Sequence, residues 1–139
     1  MTIKKRQKYL FPNKETITFV QKSVVTEKFK VQFLEDANEF ISKLDLKARE
    51  KILYNIRKAQ VINDIELFKK LTDDIWEFRT LYKKAKYRLF AFWDNREKEN
   101  TIVIATHGII KKTDKTPLAD LEKAERLRKL YFNQITRKK

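Results

Sequence analysis

The chain has 139 residues and a net charge of +14, from 33 Lys and Arg against 19 Asp and Glu. So large an excess of positive charge predicts a polyanionic partner, most often nucleic acid. The sequence contains no cysteine, which excludes disulfides and thiolate zinc sites, and no apolar run approaches the roughly 18 residues that a membrane span needs. We expect a cytoplasmic protein that does not contact a membrane.

The first 27 residues predict a basic N-terminal arm, followed by one folded domain over residues 28–139. Within the arm, residues 15–25 alternate weakly and are compatible with an extra edge strand. The stretch Lys28–Leu34 alternates apolar with polar side chains, which predicts the first strand of the main sheet.

Two helices are predicted next, because the spacing of apolar residues changes to three or four from Asp36 onward. Asp36 is the expected N-cap of the first helix. The apolar stripe of that helix consists of Ala37, Phe40, Ile41 and Leu44. The second helix is predicted from about Leu46 to Ile62.

Three runs rich in aromatic and β-branched residues then predict an antiparallel meander over residues 75–82, 87–94 and 101–110. The first hairpin is expected to close over Lys84-Ala85, or over the four residues Lys83 to Lys86 with the same pairing. Together these elements predict an α+β fold. Its antiparallel sheet has one N-terminal strand plus the three-stranded meander, with two N-terminal helices on one face and a C-terminal helix.

This register predicts which side chains share a face of the sheet. Trp76 lies opposite Trp93 on a buried face that the first two helices cover. On the other face, which is expected to stay open, Arg79 is opposite Phe90 and Leu81 is opposite Arg88, so that the two arginines are diagonal neighbours. In the third run, Ile102, Ile104 and Thr106 are assigned to the buried face, and Val103, Ala105 and His107 to the arginine face. His107 is expected opposite Arg88.

The last helix is predicted to begin at Thr116 as N-cap, with Pro117 at the first helical position. Its acidic residues come early and its basic residues late, which complements the helix dipole. It is expected to dock on the sheet edge or on the first helices.

A basic face of the sheet is the candidate functional site. Arginines suit bidentate contacts with phosphate and exposed aromatics suit base stacking, a combination that favours RNA over an acidic protein. The candidate residues are Arg79, Arg88, His107, Lys111, Lys112, Lys115, Tyr82, Phe90 and Phe92. A single histidine and a single glycine provide no metal-spaced cluster, Ser/His/Asp grouping or Gly-rich phosphate loop, so neither a metal nor another cofactor is predicted.

Such a face can also cleave RNA, if the ribose 2′-OH attacks the adjacent phosphate in line. Arg79 and Arg88 would stabilise the phosphate charge, and His107 or a lysine would serve as base or acid. Each residue also has a structural interpretation. In this interpretation the arginines are solvated surface residues, His107 is a hydrogen-bonded structural residue, and the lysines belong to a solvated loop.

Three segments, DDIWEFRTLY, KYRLFAF and THGIIKKTDKTPLADLEKAERLRKLY, resemble the phage-derived HigB-like branch of the RelE/ParE toxin superfamily. The resemblance covers about Lys28 to Tyr131. Its most specific part is the run from His107 to Pro117. The family's motif falls on Arg79, Arg88, His107, Lys111 and Lys112.

The resemblance implies a RelE-like toxin of a type II toxin-antitoxin system that cuts ribosome-bound mRNA without a metal. A cognate helix-turn-helix antitoxin would hold it inactive. Arg79, Arg88, His107 and Lys111 are the expected catalytic residues, and Lys112, Lys115, Tyr82, Phe90 and Phe92 the expected RNA-binding residues. Two alternatives remain, a ParE-like toxin that inhibits DNA gyrase and a non-enzymatic nucleic-acid-binding module.

Overall fold

The computed structural model describes residues 26–138 and, within them, the side chains of residues 26–134. In chain order the elements are β1 (Lys30–Phe33), α1 (Glu35–Ser42), α2 (Leu46–Ala59), β2 (Phe68–Lys70), β3 (Trp76–Tyr82), β4 (Ala85–Asp94), β5 (Ile102–Lys111) and α3 (Leu118–Lys138). The predicted α+β class is confirmed. The predicted arm and extra strand lie outside the described residues, except for positions 26 and 27.

The five strands form one sheet in the order β1-β5-β4-β3-β2. Strand β1 runs parallel to β5, and the other neighbours are antiparallel. The prediction of four antiparallel strands was therefore wrong in two respects. Strand β2 was missed because its three residues are too few to show an alternation, and β1 reaches β5 through a crossover that the meander pattern does not reveal. None of the helices in residues 26–138 is long and apolar enough to cross a membrane.

The helix ends differ from the predicted ones by up to three residues. Helix α1 begins at Glu35, with Leu34 rather than Asp36 at the N-cap. Asp45 caps α2, because its Oδ1 accepts the Ala48 N–H at 2.9 Å, and the helix ends at Ala59 rather than at residue 62. Helix α3 begins after Pro117, one residue later than predicted.

The β3–β4 hairpin closes over Lys83-Lys84 and not over the predicted Lys84-Ala85. Both turn residues have positive φ, 49° and 68°, which is the conformation of a two-residue type I′ turn. The pairing therefore slips by two residues, and Trp76 lies opposite Ala91 instead of Trp93. Because side chains alternate with a period of two, the slip leaves every residue of this hairpin on its predicted face.

Strand β5 contains a bulge that the sequence did not predict. Ala105 pairs with Ala91 and His107 with Phe90, so Thr106 is an extra residue between two ladder partners. Before the bulge, Val103 and Ala105 face α1 and α2, while Ile102 and Ile104 face α3, which reverses the predicted assignment of residues 102–105. After it, the alternation is restored, and His107 lies on the predicted face of the sheet but opposite Phe90 rather than Arg88.

Both faces of the sheet are buried against helices. One cluster joins side chains of α1 and α2, including Ile41 and Ile52, to Phe78 and Leu89 on the sheet. A second cluster joins Ala124 and the partly buried Leu121, Tyr131 and Phe132 of α3 to the other face, at Phe90, Phe92 and Ile104. The prediction that this second face stays open was wrong for the part that α3 covers.

A hydrogen-bonded carboxylate attaches α3 to the end of β4. Tyr131 donates its hydroxyl to Asp94 Oδ2 at 2.7 Å, and Arg96 donates to both carboxylate oxygens of Asp94 at 2.7 and 2.6 Å. The hydrogen bond from Arg96 is the main reason that the pKa of Asp94 falls to about 2. Burial, with the bond to Asp94, raises the pKa of Tyr131 to about 12.

Acid should weaken this attachment in a defined pH range. Because the pKa of Asp94 is lower in the folded chain than the ordinary value of 3.8 for an aspartate, its contribution to stability is present above that value and is lost as pH falls through about 2. The shift corresponds to about 2 kcal/mol. We expect Asp94→Asn to be less stable than wild type by that amount at pH 7, and the two unfolding free energies in urea to converge near pH 2. Parallel pH profiles would contradict the role of Asp94.

Gly108 marks a close approach between β5 and α1. A Cβ built at Gly108 would collide with the ring of Phe40, so we expect Gly108→Ala to destabilise the fold by about 1–3 kcal/mol. In a Phe40→Ala background the same substitution should cost much less, because the ring that it meets is gone. Chemical denaturation of the four proteins measures this coupling, and additive effects would show that the contact is unimportant.

Candidate nucleic-acid interface

Arg79 and Arg88 lie directly opposite each other on the face of the sheet that α3 covers in part. Like charges at such positions repel each other unless an anion lies nearby. The anion is Glu77, whose Oε2 is 3.5 Å from Arg79 Nε and 3.6 Å from Arg88 Nε. Its side chain is only 3% exposed. Two guanidinium groups therefore share one buried carboxylate, and the group of three keeps a net positive charge.

Sequence reasoning did not select Glu77, although a signal was available. Glu77 and Arg79 are two residues apart in one strand and so share a face. Arg88 belongs to the same face in either register of the hairpin. A carboxylate between two arginines on one face is the expected neutralising group, and the sequence pattern therefore pointed to Glu77.

The hydrogen bonding of this group is incomplete. Arg88 donates through Nη1 to the Tyr87 carbonyl at 3.0 Å, and Arg79 donates through Nη1 to the Ile65 carbonyl at 3.3 Å. The Nε atoms of both arginines and Oε1 of Glu77 are buried and make no hydrogen bond within the described residues. Burial lowers the pKa of Arg88, and the charge of Glu77 opposes that shift. Unsatisfied buried donors of this kind are costly.

A cleft of about 190 Å³ opens beside the arginine pair. The cleft is lined by Glu66, Arg79, Thr80, Leu81, Lys86 and Arg88. No residue of α3 lines it, so this end of the sheet face remains open to a ligand. The arginine pair is partly shielded by its own neighbours rather than sealed beneath a helix.

Two lysines add to the positive charge at the cleft, Lys86 in its lining and Lys111 next to it. Lys86 and Lys111 face each other on β4 and β5. Lys86 Nζ is 3.1 Å from Asp114 Oδ1, and Lys111 Nζ donates to the Asp114 carbonyl at 2.6 Å. Burial lowers the pKa of Lys111; the charge of Glu77 opposes this, and those of both arginines and Lys86 add to it. Of the other predicted lysines, Lys112 and Lys115 are exposed in the loop after β5.

The aromatic part of the predicted interface was wrong. Phe90 and Phe92 are both 0% exposed, because they form the cluster beneath α3, and neither is accessible for base stacking. Tyr82 is partly buried on the opposite face of the sheet from the arginines, against the α1 and α2 cluster. The described residues thus form a basic cleft without the stacking platform that the sequence predicted.

His107 lies on the arginine face but does not line the cleft. Its Nε2 is 3.1 Å from Asp120 Oδ1 and its Nδ1 is 3.0 Å from Thr106 Oγ1. The ring stacks on Phe90 with a centroid distance of 4.9 Å. Burial lowers the pKa of His107, although the hydrogen bond to Asp120 opposes the shift. This environment favours a neutral histidine that joins β5 to α3.

Removing the shared carboxylate should destabilise the fold strongly. We expect Glu77→Gln to cost about 3–5 kcal/mol, because it leaves two buried guanidinium groups without their anion. Glu66→Gln is the matched control. Glu66 lies 3.9 Å from the same Arg79 but its side chain is 77% exposed, and we expect a change below about 1 kcal/mol. Equal effects of the two substitutions on urea unfolding would exclude a central role for Glu77.

One model of a known protein family matches the chain. Residues 39–129 match the family described as phage derived protein Gp49-like (DUF891). No protein of curated function matches the chain significantly. In the described part of the chain, no group of three or more His, Cys, Asp or Glu residues is placed to hold a metal ion.

Proposed function

The chain belongs to the phage-derived Gp49-like family, a family of RelE/toxin-like proteins, and from this we propose that it is the toxin of a type II toxin-antitoxin system that cuts mRNA on the ribosome. The observation that carries the cleavage proposal is the arginine pair beside an open cleft, with buried Nε donors that lack acceptors. The proposed HigB-like character and the cognate helix-turn-helix antitoxin are supported by the resemblance of the sequence motifs.

The cleft has the charges that stabilise an in-line attack on a phosphodiester. The ribose 2′-oxygen forms a bond to phosphorus while its proton passes to water, and the bond from phosphorus to the 5′-oxygen breaks. Arg79 and Arg88 donate to the non-bridging oxygens, whose negative charge increases in the transition state. Glu77 holds both guanidinium groups in place beforehand, so that little reorganisation is needed during the reaction.

Lys111 is the proposed proton donor to the departing 5′-oxygen. Its lowered pKa makes it a better acid than an ordinary lysine. His107 receives no role in this route, since both its ring nitrogens are engaged away from the cleft. The products are a 2′,3′-cyclic phosphate and a free 5′-hydroxyl, and the route uses only groups of the chain, the RNA and water.

Toeprinting of mRNA on translating ribosomes tests the proposal. We expect wild type to cut, and Arg79→Gln to cut about 100-fold more slowly, because one donor to the phosphate is lost. Lys111→Arg keeps the charge but removes an acid of suitable pKa, and should also slow cleavage about 100-fold. Lys98→Gln, in the exposed loop between β4 and β5, removes one charge far from the cleft and should cut like wild type.

Other outcomes distinguish the alternatives. DNA damage in expressing cells, with polysomal mRNA intact, would support gyrase inhibition instead. If correctly folded wild type neither cuts the message nor arrests growth, the result would support a non-enzymatic nucleic-acid-binding module. Circular dichroism and thermal melting of each variant ensure that a loss of cleavage is not a loss of fold.

A further inference from the structure

The turn of the β3–β4 hairpin is built from residues that do not favour its conformation. Lys83 and Lys84 have φ values of 49° and 68°. A type I′ turn requires positive φ at both central positions, which Asn-Gly adopts readily. For a residue with a full side chain the left-handed region costs on the order of 1 kcal/mol or more. Two such residues in succession make this a strained turn.

The strained turn lies within a concentration of lysines. Both Lys83 and Lys84 are exposed, and Lys86 follows one residue after the turn. Because Lys86 pairs with Lys111 on β5, the loop that begins at Lys112 comes next to the turn. We call this surface the basic prong, formed by Lys83, Lys84, Lys112 and Lys115 beside the cleft residue Lys86. Its nearby acid, Asp114, pairs with Lys86 and is itself 95% exposed.

We propose that the basic prong binds the phosphate backbone of RNA, at a site separate from the cleft, and that Lys83 and Lys84 serve binding at the expense of stability. The turn sequence that would stabilise the hairpin most, Asn-Gly, would remove both charges from its tip. Flexible ammonium groups suit contacts with phosphates that carry no sequence information. The choice of RNA rests on the proposed function, whereas the attraction to a phosphate backbone follows from the charge alone.

The proposal makes two predictions of opposite sign for one variant. Replacing the turn by Lys83→Asn/Lys84→Gly should raise the melting temperature by several degrees, because the strain is relieved, and should weaken RNA binding. The variant Lys83→Gln/Lys84→Gln removes the charges and retains the strain. It should therefore weaken binding equally without raising the melting temperature.

Binding is measured by fluorescence anisotropy of a labelled RNA duplex of 20 base pairs, with the full chain and no ribosome, over a series of salt concentrations. Each phosphate contact contributes about 0.9 to the slope of log K against log salt. Losing two contacts should reduce the slope by about 1.8 and weaken binding on the order of tenfold at low salt. The control is Lys47→Gln/Lys58→Gln, which removes the same charge from exposed positions of α2 and should change binding less than twofold.

Equal binding by the turn variants and the α2 control would overturn the prong as a binding site. An unchanged melting temperature of the Asn-Gly variant would overturn the strain argument. Tighter, prong-dependent binding of an acidic peptide such as poly-glutamate would overturn RNA as the ligand. A chain that binds the duplex through the prong but cuts no message on ribosomes would sustain this inference and reject the proposed nuclease, so the two failures are distinguishable.

Discussion

The carboxylate of Glu77 determines how the polar end of the sheet is organised. Without it, two guanidinium groups would face each other across β3 and β4 in a region of low exposure, where their repulsion is poorly screened. Both Nε atoms approach the same carboxylate oxygen at 3.5 and 3.6 Å, and neither they nor the other oxygen of Glu77 make a hydrogen bond. The same interaction therefore makes the arginine pair possible in the folded chain and leaves one of its two positive charges uncompensated.

The rest of the fold keeps this end of the sheet separate from the apolar part. Helix α3 covers Phe90, Phe92 and Ile104, while the cleft is lined by residues of the sheet and of the segment before β2. His107 lies at the border, where its bonds to Thr106 and Asp120 connect the strand to the helix. The sheet thus has one face with two environments, an apolar one under α3 and a basic one beyond it.

Much of the fold could be predicted from alternation and spacing, because the three long strands and the first two helices have clear periods. The hairpin turn could not, since Lys-Lys lacks the Asn-Gly signal of its turn type, and an even slip leaves the alternation unchanged. The position of α3 was missed although β4 contained a hint. Phe90 and Phe92 alternate with other apolar residues, and a strand that is apolar on both faces needs cover on both. The predicted arginines and Lys111 do share one face, while Lys112 and Lys115 lie in the loop after β5. Phe90 and Phe92 are on the arginine face as predicted but are buried beneath α3.

The extra residue in β5 has a consequence for how this protein can vary. Ala105 packs against α1 and α2 and His107 contacts α3, although they are two positions apart in one strand, because Thr106 is an extra residue between their partners Ala91 and Phe90. If Thr106 paired regularly with Phe90, the imidazole would lie opposite Leu89 and turn into the apolar interior beside α1 and α2. A strand without Thr106 would keep Ala105 and His107 on their present faces. Relatives should therefore be able to lose this one position, provided that the strand then pairs regularly.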